Sequence, residues 1–300
     1  MKKVCSFLQI AMICLILTVI IGVNGCPQQG GKETGTGGLS VKFVENAPPV
    51  NVVVDQNFPI YAEVENLGDS FVNPGSAKFY LTRLGQNIQN VKTTTLQNKN
   101  LLGSGAQEKL EFAAAAKSTL ELVEPLTTTM LLTSCYKYGG KAQAEICLIM
   151  SNQSAICGIN DAKITYNSAE PIQISDISEA IIGNRLQISF TVSNKGKGIV
   201  YLPDTDCDKL QAKESDATEF LKSGQIKIRI GDLGGGFSCK LKSLDSSYNQ
   251  IEALEGAAPL GKITCEKSLA GIEEQKTALL INMDYVYVET ISQNILISPS

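Results

Sequence analysis

Apolar and polar residues alternate one by one along much of this chain. Leu39-Ser40-Val41-Lys42-Phe43, Ile60-Tyr61-Ala62-Glu63-Val64, Ile226-Lys227-Ile228-Arg229-Ile230 and Tyr285-Val286-Tyr287-Val288-Glu289 all follow this pattern. A period of two marks a strand with one buried face. Pro48-Pro49, Asn73-Pro74-Gly75, Gly139-Gly140, Asn194-Lys195-Gly196 and Gly234-Gly235-Gly236 interrupt the runs and predict turns; at Gly139-Gly140 the expected turn closes a hairpin. Residues 108–117 are rich in helix formers, but Leu110 and Phe112 alternate with Lys109 and Glu111, so a strand is expected there. A short helix fits residues 215–221, with Ser215 or Asp216 as its cap. The fold class that follows is all-β, of the sandwich type.

The pattern changes at the N-terminus. Lys2 and Lys3 precede a nearly continuous apolar run from Val4 to Val23, the composition of an export signal. The run ends in Val23-Asn24-Gly25-Cys26, similar to a lipoprotein processing site in which the Cys26 thiol takes the lipid. At about 20 residues it is also long enough to stay in the bilayer as an uncleaved anchor. Residues 26–38 hold no large apolar side chain and several glycines, the composition of a flexible tether. The expected division is a signal or anchor over 1–25, a tether over 26–38, and two sandwich domains over 39–166 and 167–300. The expected location is the outer face of the cytoplasmic membrane.

An internal repeat supports two domains. Ile60 to Gly68 and Ile188 to Gly196 match at a constant offset, and each strand ends in V-x-N-x-G. Asn and Gly in that order suggest a turn with positive φ at Asn66 and Asn194.

Nine cysteines are present. Cys5 and Cys14 lie in the signal and Cys26 at its end, which leaves Cys135, Cys147, Cys157, Cys207, Cys239 and Cys265 for three disulfides in an exported body. Three precede the expected boundary and three follow it, so at least one bond must cross. The expected pairing is Cys135–Cys147 across the Gly139-Gly140 hairpin, Cys239–Cys265, and Cys157–Cys207 as the crossing bond. An exposed linker is expected at residues 167–169. A single N-glycosylation sequon sits at Asn152.

The V-x-N-x-G strand end resembles the immunoglobulin-like modules of the CARDB kind. Together with Cys135-Tyr136-Lys137-Tyr138, Cys147 and the closing Met283-to-Val288 strand, the chain is similar to uncharacterised archaeal surface proteins over most of residues 39–300. The resemblance implies tandem immunoglobulin-like sandwiches at a cell surface and brings no activity with it.

Chemistry narrows the functions further. The chain contains no histidine, which removes the commonest general base and metal ligand, and no C-x-x-C pair suggests zinc. Asp204-Thr205-Asp206-Cys207-Asp208 starts like a calcium loop, but Lys209 and Ser215 stand where glycine and a bidentate glutamate belong. Glu63, Glu65, Glu273 and Glu274 read as charges on open strand faces. Basic residues are dispersed, and loss of residues 1–25 would leave 24 of them against 30 acidic ones, so nucleic acid is not an expected partner. The expectation is a non-catalytic protein without metal or cofactor, tethered to the membrane, whose sandwiches serve binding, adhesion or envelope structure toward an envelope protein or glycan. A solute-capturing lipoprotein associated with a transporter is the alternative.

Overall fold

The alternation in sequence becomes an alternation in burial. In the computed structural model, which describes residues 37–72, 76–82, 90–94, 105–115, 123–149, 157–161, 163–211, 217–231, 237–242, 248–251 and 255–300, strand β3 (Asn57–Asn66) buries Phe58, Ile60, Ala62 and Val64 and exposes the residues between them in whole or part. β3 lies between β1 (Leu39–Phe43) and β6 (Gln107–Ala115) in a three-stranded sheet. Residues 107–115 are thus a strand. Leu110 and Phe112 face the core, and their burial outweighs the helix propensity of the alanines. Of the helix expected over 215–221, Ala217–Phe220 (α2) is helical, its expected caps Ser215 and Asp216 lie outside the described residues, and α1 (Cys207–Gln211) precedes it. Among the described residues no helix is long and apolar enough to cross a membrane.

A second sheet has five strands, in the order β14 (Tyr248–Ile251), β13 (Phe237–Lys242), β16 (Gly261–Ser268), β10 (Arg185–Asn194) and β9 (Ile172–Ile182). The third has nine. Its main path is β15 (Glu255–Pro259), β12 (Gln225–Gly231), β17 (Gln275–Ser298), β7 (Leu126–Leu148), β4 (Ala77–Thr82) and β5 (Asn90–Thr94). β2 (Asn51–Val53) and β11 (Ile199–Tyr201) flank β17, and β8 (Thr165–Asn167) flanks β7. One hydrophobic cluster joins Ile60 and Phe112 of the first sheet, Ile188 and Phe190 of the second, and Leu132, Tyr136, Ile281 and Tyr285 of the third. Residues 36–300 are correspondingly one compact unit.

The strand pairings occur twice. β1-β3-β6 recurs as β9-β10-β16, β4 with β5 recurs as β12 with β15, and β7 has its counterpart in β17. β4 pairs with residues 131–136 of β7, and β12 pairs with residues 280–284 of β17. β7 and β17 then continue past their own half. They run antiparallel through 23 registered residue pairs, from Leu126 opposite Ile297 to Leu148 opposite Gln275. Each long strand therefore completes the sheet of the other half. No interface between closed domains separates residues 39–166 from 167–300, because a single ladder runs through both.

This ladder corrects three expectations. Gly139 and Gly140 make no turn: they sit mid-strand opposite Asp284 and Met283. A Cβ on Gly140 would lie 3.1 Å from both Glu170 and Met283 side chains, so the glycine there makes room for close packing. Cys135 and Cys147 consequently occupy one extended strand, about 40 Å apart at the usual rise, far beyond the ~7 Å between Cα atoms that a disulfide spans. The bonds formed are Cys135–Cys207, Cys147–Cys157 and Cys239–Cys265. Only the last matches the expected pairing, and it joins directly opposed residues of β13 and β16. A bond does cross between the halves, as the odd cysteine count on each side requires, but it is Cys135–Cys207. Residues 167–169 are not a free linker either. Lys141 N donates to Ser168 Oγ at 2.8 Å, Ala169 N to Asp69 Oδ2 at 2.9 Å, and Ile174 N to Asn167 Oδ1 at 2.8 Å.

Residues 37–168 expressed alone lose the β17 half of the ladder and leave one edge of β7 unpaired. We expect this fragment to lack a cooperative thermal transition, whereas residues 37–300 unfold cooperatively. A sharp melt of the isolated fragment, followed by circular dichroism, contradicts the shared ladder.

Candidate functional site: a tyrosine seam between the halves

Period two on β7 and β17 turns Tyr136, Tyr138, Tyr285 and Tyr287 to one face at mid-ladder, with Tyr136 opposite Tyr287 and Tyr138 opposite Tyr285. All four are buried. Their ring centroids lie 5.4 to 6.4 Å apart in tilted or edge-on contacts, the favourable geometry for aromatic pairs. Burial raises the pKa of every one of these phenols, so they stay neutral donors at physiological pH.

Buried hydroxyls favour partners, and the repeated V-x-N-x-G motif supplies them to two of the four, Tyr138 and Tyr287. Tyr138 OH donates to Asn66 Oδ1 at 2.6 Å, while Asn66 Nδ2 donates to Ser70 O at 2.8 Å and Gly68 N to Asn66 Oδ1 at 3.2 Å. The second copy repeats the arrangement: Tyr287 OH to Asn194 Oδ1 at 3.2 Å, Asn194 Nδ2 to Gly198 O at 2.8 Å, and Gly196 N to Asn194 Oδ1 at 3.0 Å. The asparagine closes its own turn and receives a tyrosine from the long strand. Gly68 and Gly196 are required because a Cβ would overlap the hydroxyls of Tyr138 and Tyr287. The expected positive φ is absent. Among the described residues only Asn46, Asp55 and Asp176 have it outside glycine, so contact with tyrosine, and not backbone strain, explains the motif.

One residue breaks the symmetry. Glu170, fully buried, enters the first socket from the segment that joins the halves. Ser70 Oγ lies 3.0 Å from Glu170 Oε1 and 2.6 Å from the Gly139 carbonyl. Burial pushes the Glu170 pKa up to about 7; the nearby Asp69 charge adds to the rise, and the Ser70 contact opposes it. Nothing in the sequence singled out Glu170. The tyrosines carried a visible sign, Y-x-Y occurring twice, but not its meaning.

Other candidate residues are structural. Cys135–Cys207 holds α1 against the outer face of the large sheet, where Cys135, Cys207, Leu210, Tyr80, Tyr201 and Val286 form a small apolar cluster. The carboxylates of the acidic segment beside it are engaged. Asp206 Oδ1 accepts from Asp208 N at 2.9 Å, Asp208 binds Tyr80 and Lys78, and Lys222 pairs with Asp204 and Glu219. Lys78 and Tyr80 hold the Asp208 pKa below its usual value. Around Cys147–Cys157, Lys163 and Glu179 form a buried pair at 2.7 Å, and Cys147 N donates to Glu179 Oε1 at 2.8 Å. Glu63 pairs with Lys42 at 3.0 Å. Among the described residues no group of three or more Cys, Asp or Glu side chains could hold a metal ion. Cys26 and Asn152 lie outside the described residues.

Among the described residues, depressions in the surface include two of similar size. One, of about 180 Å³, lies on the outer face of the three-stranded sheet among Lys42, Glu63, Glu65 and Lys109. The other, of about 190 Å³, opens beside the seam among Ser40, Leu67, Tyr136, Lys197, Tyr287 and Glu289.

The chain matches no protein-family profile and no curated protein. Among solved structures, the CupB6 tip adhesin from Pseudomonas aeruginosa aligns with 88% of this chain and 97% of its own, at 7% identity and a TM-score of 0.14. At that score the alignment does not show a common fold.

Asn66 is fully buried and Asn194 only partly so. Asn66→Ala, which removes one partner of the Tyr138 hydroxyl and those of two backbone groups, should cost about 1–3 kcal/mol, and Asn194→Ala measurably less. Urea denaturation checks the order. Equal losses, or none, contradict the socket account.

Proposed function

We propose that this protein is a non-catalytic, membrane-tethered surface protein whose β-rich body presents binding, adhesive or structural surfaces at the outside of the cell. The observation that carries this reading is the seam. A ladder shared by both halves, four interlocked tyrosines and the Cys135–Cys207 bond make one stiff unit without a hinge on which two lobes could close. Such a unit suits a display scaffold better than a clamp.

The strand arrangement supports an immunoglobulin-like relation. In the first half, β1-β3-β6 packs through the common core against β5-β4-β7 with β17 as the last strand, a two-sheet arrangement of the kind such sandwiches have. Tandem immunoglobulin-like units with exchanged final strands are the reading we adopt. Export rests on the apolar N-terminus and agrees with three disulfides in the body. Cys26 carries a lipid in this reading, and an envelope protein or glycan is the partner.

Cys26→Ser tests the tether. We expect the variant to leave the membrane fraction or to accumulate as an unprocessed precursor, read by fractionation and intact mass. An unchanged mature N-terminus and unchanged membrane partition overturn lipidation.

A further inference from the structure

We propose that Glu170 is a proton-operated latch for the seam: as the neutral acid it bridges the segment between the halves to the Asn66–Ser70 turn, and its ionisation loosens that junction and the Gly37–Leu39 segment beside it. The observation is a hydrogen-bond count. Ser70 has one hydroxyl proton but two acceptors in reach, the Gly139 carbonyl at 2.6 Å and Glu170 Oε1 at 3.0 Å. If Ser70 donates to Gly139, the second contact is a hydrogen bond only when Glu170 holds a proton and donates it to Ser70 Oγ. An ionised carboxylate keeps the Ser70 contact only by drawing the hydroxyl proton away from Gly139, and otherwise holds the turn through the Asp69 and Ser70 backbone amides.

The surroundings favour the neutral form. Burial comes first and the Asp69 charge adds to it, while the Ser70 hydroxyl and the backbone amides of Asp69 and Ser70 act the other way without outweighing burial. Tyr136 and Tyr138 from β7 and Tyr285 from β17 complete the groups around Glu170. None of these is a cation. The second half repeats the asparagine socket with a partly buried acid, Glu289, near Tyr287, whereas Glu170 is buried completely. It occupies the place where several segments meet. Gly38 O accepts from Leu67 N at 2.8 Å, Tyr136 OH accepts from Leu39 N at 3.1 Å, and Asp69 Oδ2 accepts from Ala169 N at 2.9 Å. Gly140 packs on the Glu170 side chain from below.

The direction of the effect follows from linkage. A buried acid pushed up from 4.5 to about 7 binds its proton more tightly in the closed seam than in the open one. Closure is therefore fully favoured below the open-state value and is lost as pH rises through the closed-state value, levelling off above it. The seam is tightest in acid and loosens toward neutrality.

Hydrogen exchange on residues 37–300, corrected for the intrinsic pH dependence, tests this between pH 5 and 8. Protection of amides 38–39, 67–70 and 168–170 should fall by roughly ten- to a hundredfold, with that of amides in β10 and β16 unchanged. Glu170→Gln should abolish the fall, and Asp69→Asn should move it to lower pH. If Glu170→Gln does not fold, the wild-type profile and Asp69→Asn still decide. Protection at the seam that is flat with pH, or a fall that persists in Glu170→Gln, overturns the latch.

Discussion

The pairing of β7 with β17 is the constraint on which the rest depends. A strand that stopped at Gly139 would leave each half to finish its own sheet. By continuing for about ten residues more, each long strand gives its second part to the other half, and neither sheet is complete without both. The backbone groups at mid-ladder are paired by construction, and the side chains that face inward there must be large enough to fill the space between two halves. Tyrosine fills it and adds a hydroxyl that can be anchored. The repeated asparagine turn then holds those hydroxyls at matching places, so the nine-residue repeat is a consequence of the ladder as much as of the strand that carries it.

The three disulfides fall into place around the same element. Cys135 lies on the outer face of β7, one residue before an inward tyrosine, and ties α1 of the second half to it. Cys147, near the far end of the strand, closes a short loop to Cys157, with Lys163 and Glu179 neutralising each other beside it. Cys239–Cys265 staples two strands of the five-stranded sheet. In the usual account each bond stabilises chiefly by restricting the unfolded chain, and more for longer loops, so the crossing bond, which closes a 72-residue separation, adds the most.

Much of this was legible in the sequence. Alternation located β1, β3, β10, β12 and the middle of β17, and it correctly overrode helix propensity at Leu110 and Phe112. Cysteine parity required a bond between the halves. What remained hidden depends on long-range geometry. A glycine pair reads the same whether it turns the chain or admits a neighbouring side chain, and at Gly139-Gly140 the choice was settled by a partner strand about 145 residues away. The misread turn then misplaced Cys135 and Cys147. Asn66 and Gly68 carried the right motif with the wrong cause, because a tyrosine docking from another strand leaves no local trace. Glu170 was invisible for a related reason: its burial arises from tertiary packing that no local pattern encodes.

The claim that one ladder makes one body is tested most directly by native-state hydrogen exchange over a denaturant series. The account predicts that the slowest amides of β3, β7, β10 and β17 in residues 37–300 converge on a single opening free energy with a single denaturant dependence, since neither half can open without the other. Two separate isotherms, one for β3 with the first part of β7 and another for β10 with the first part of β17, would contradict it.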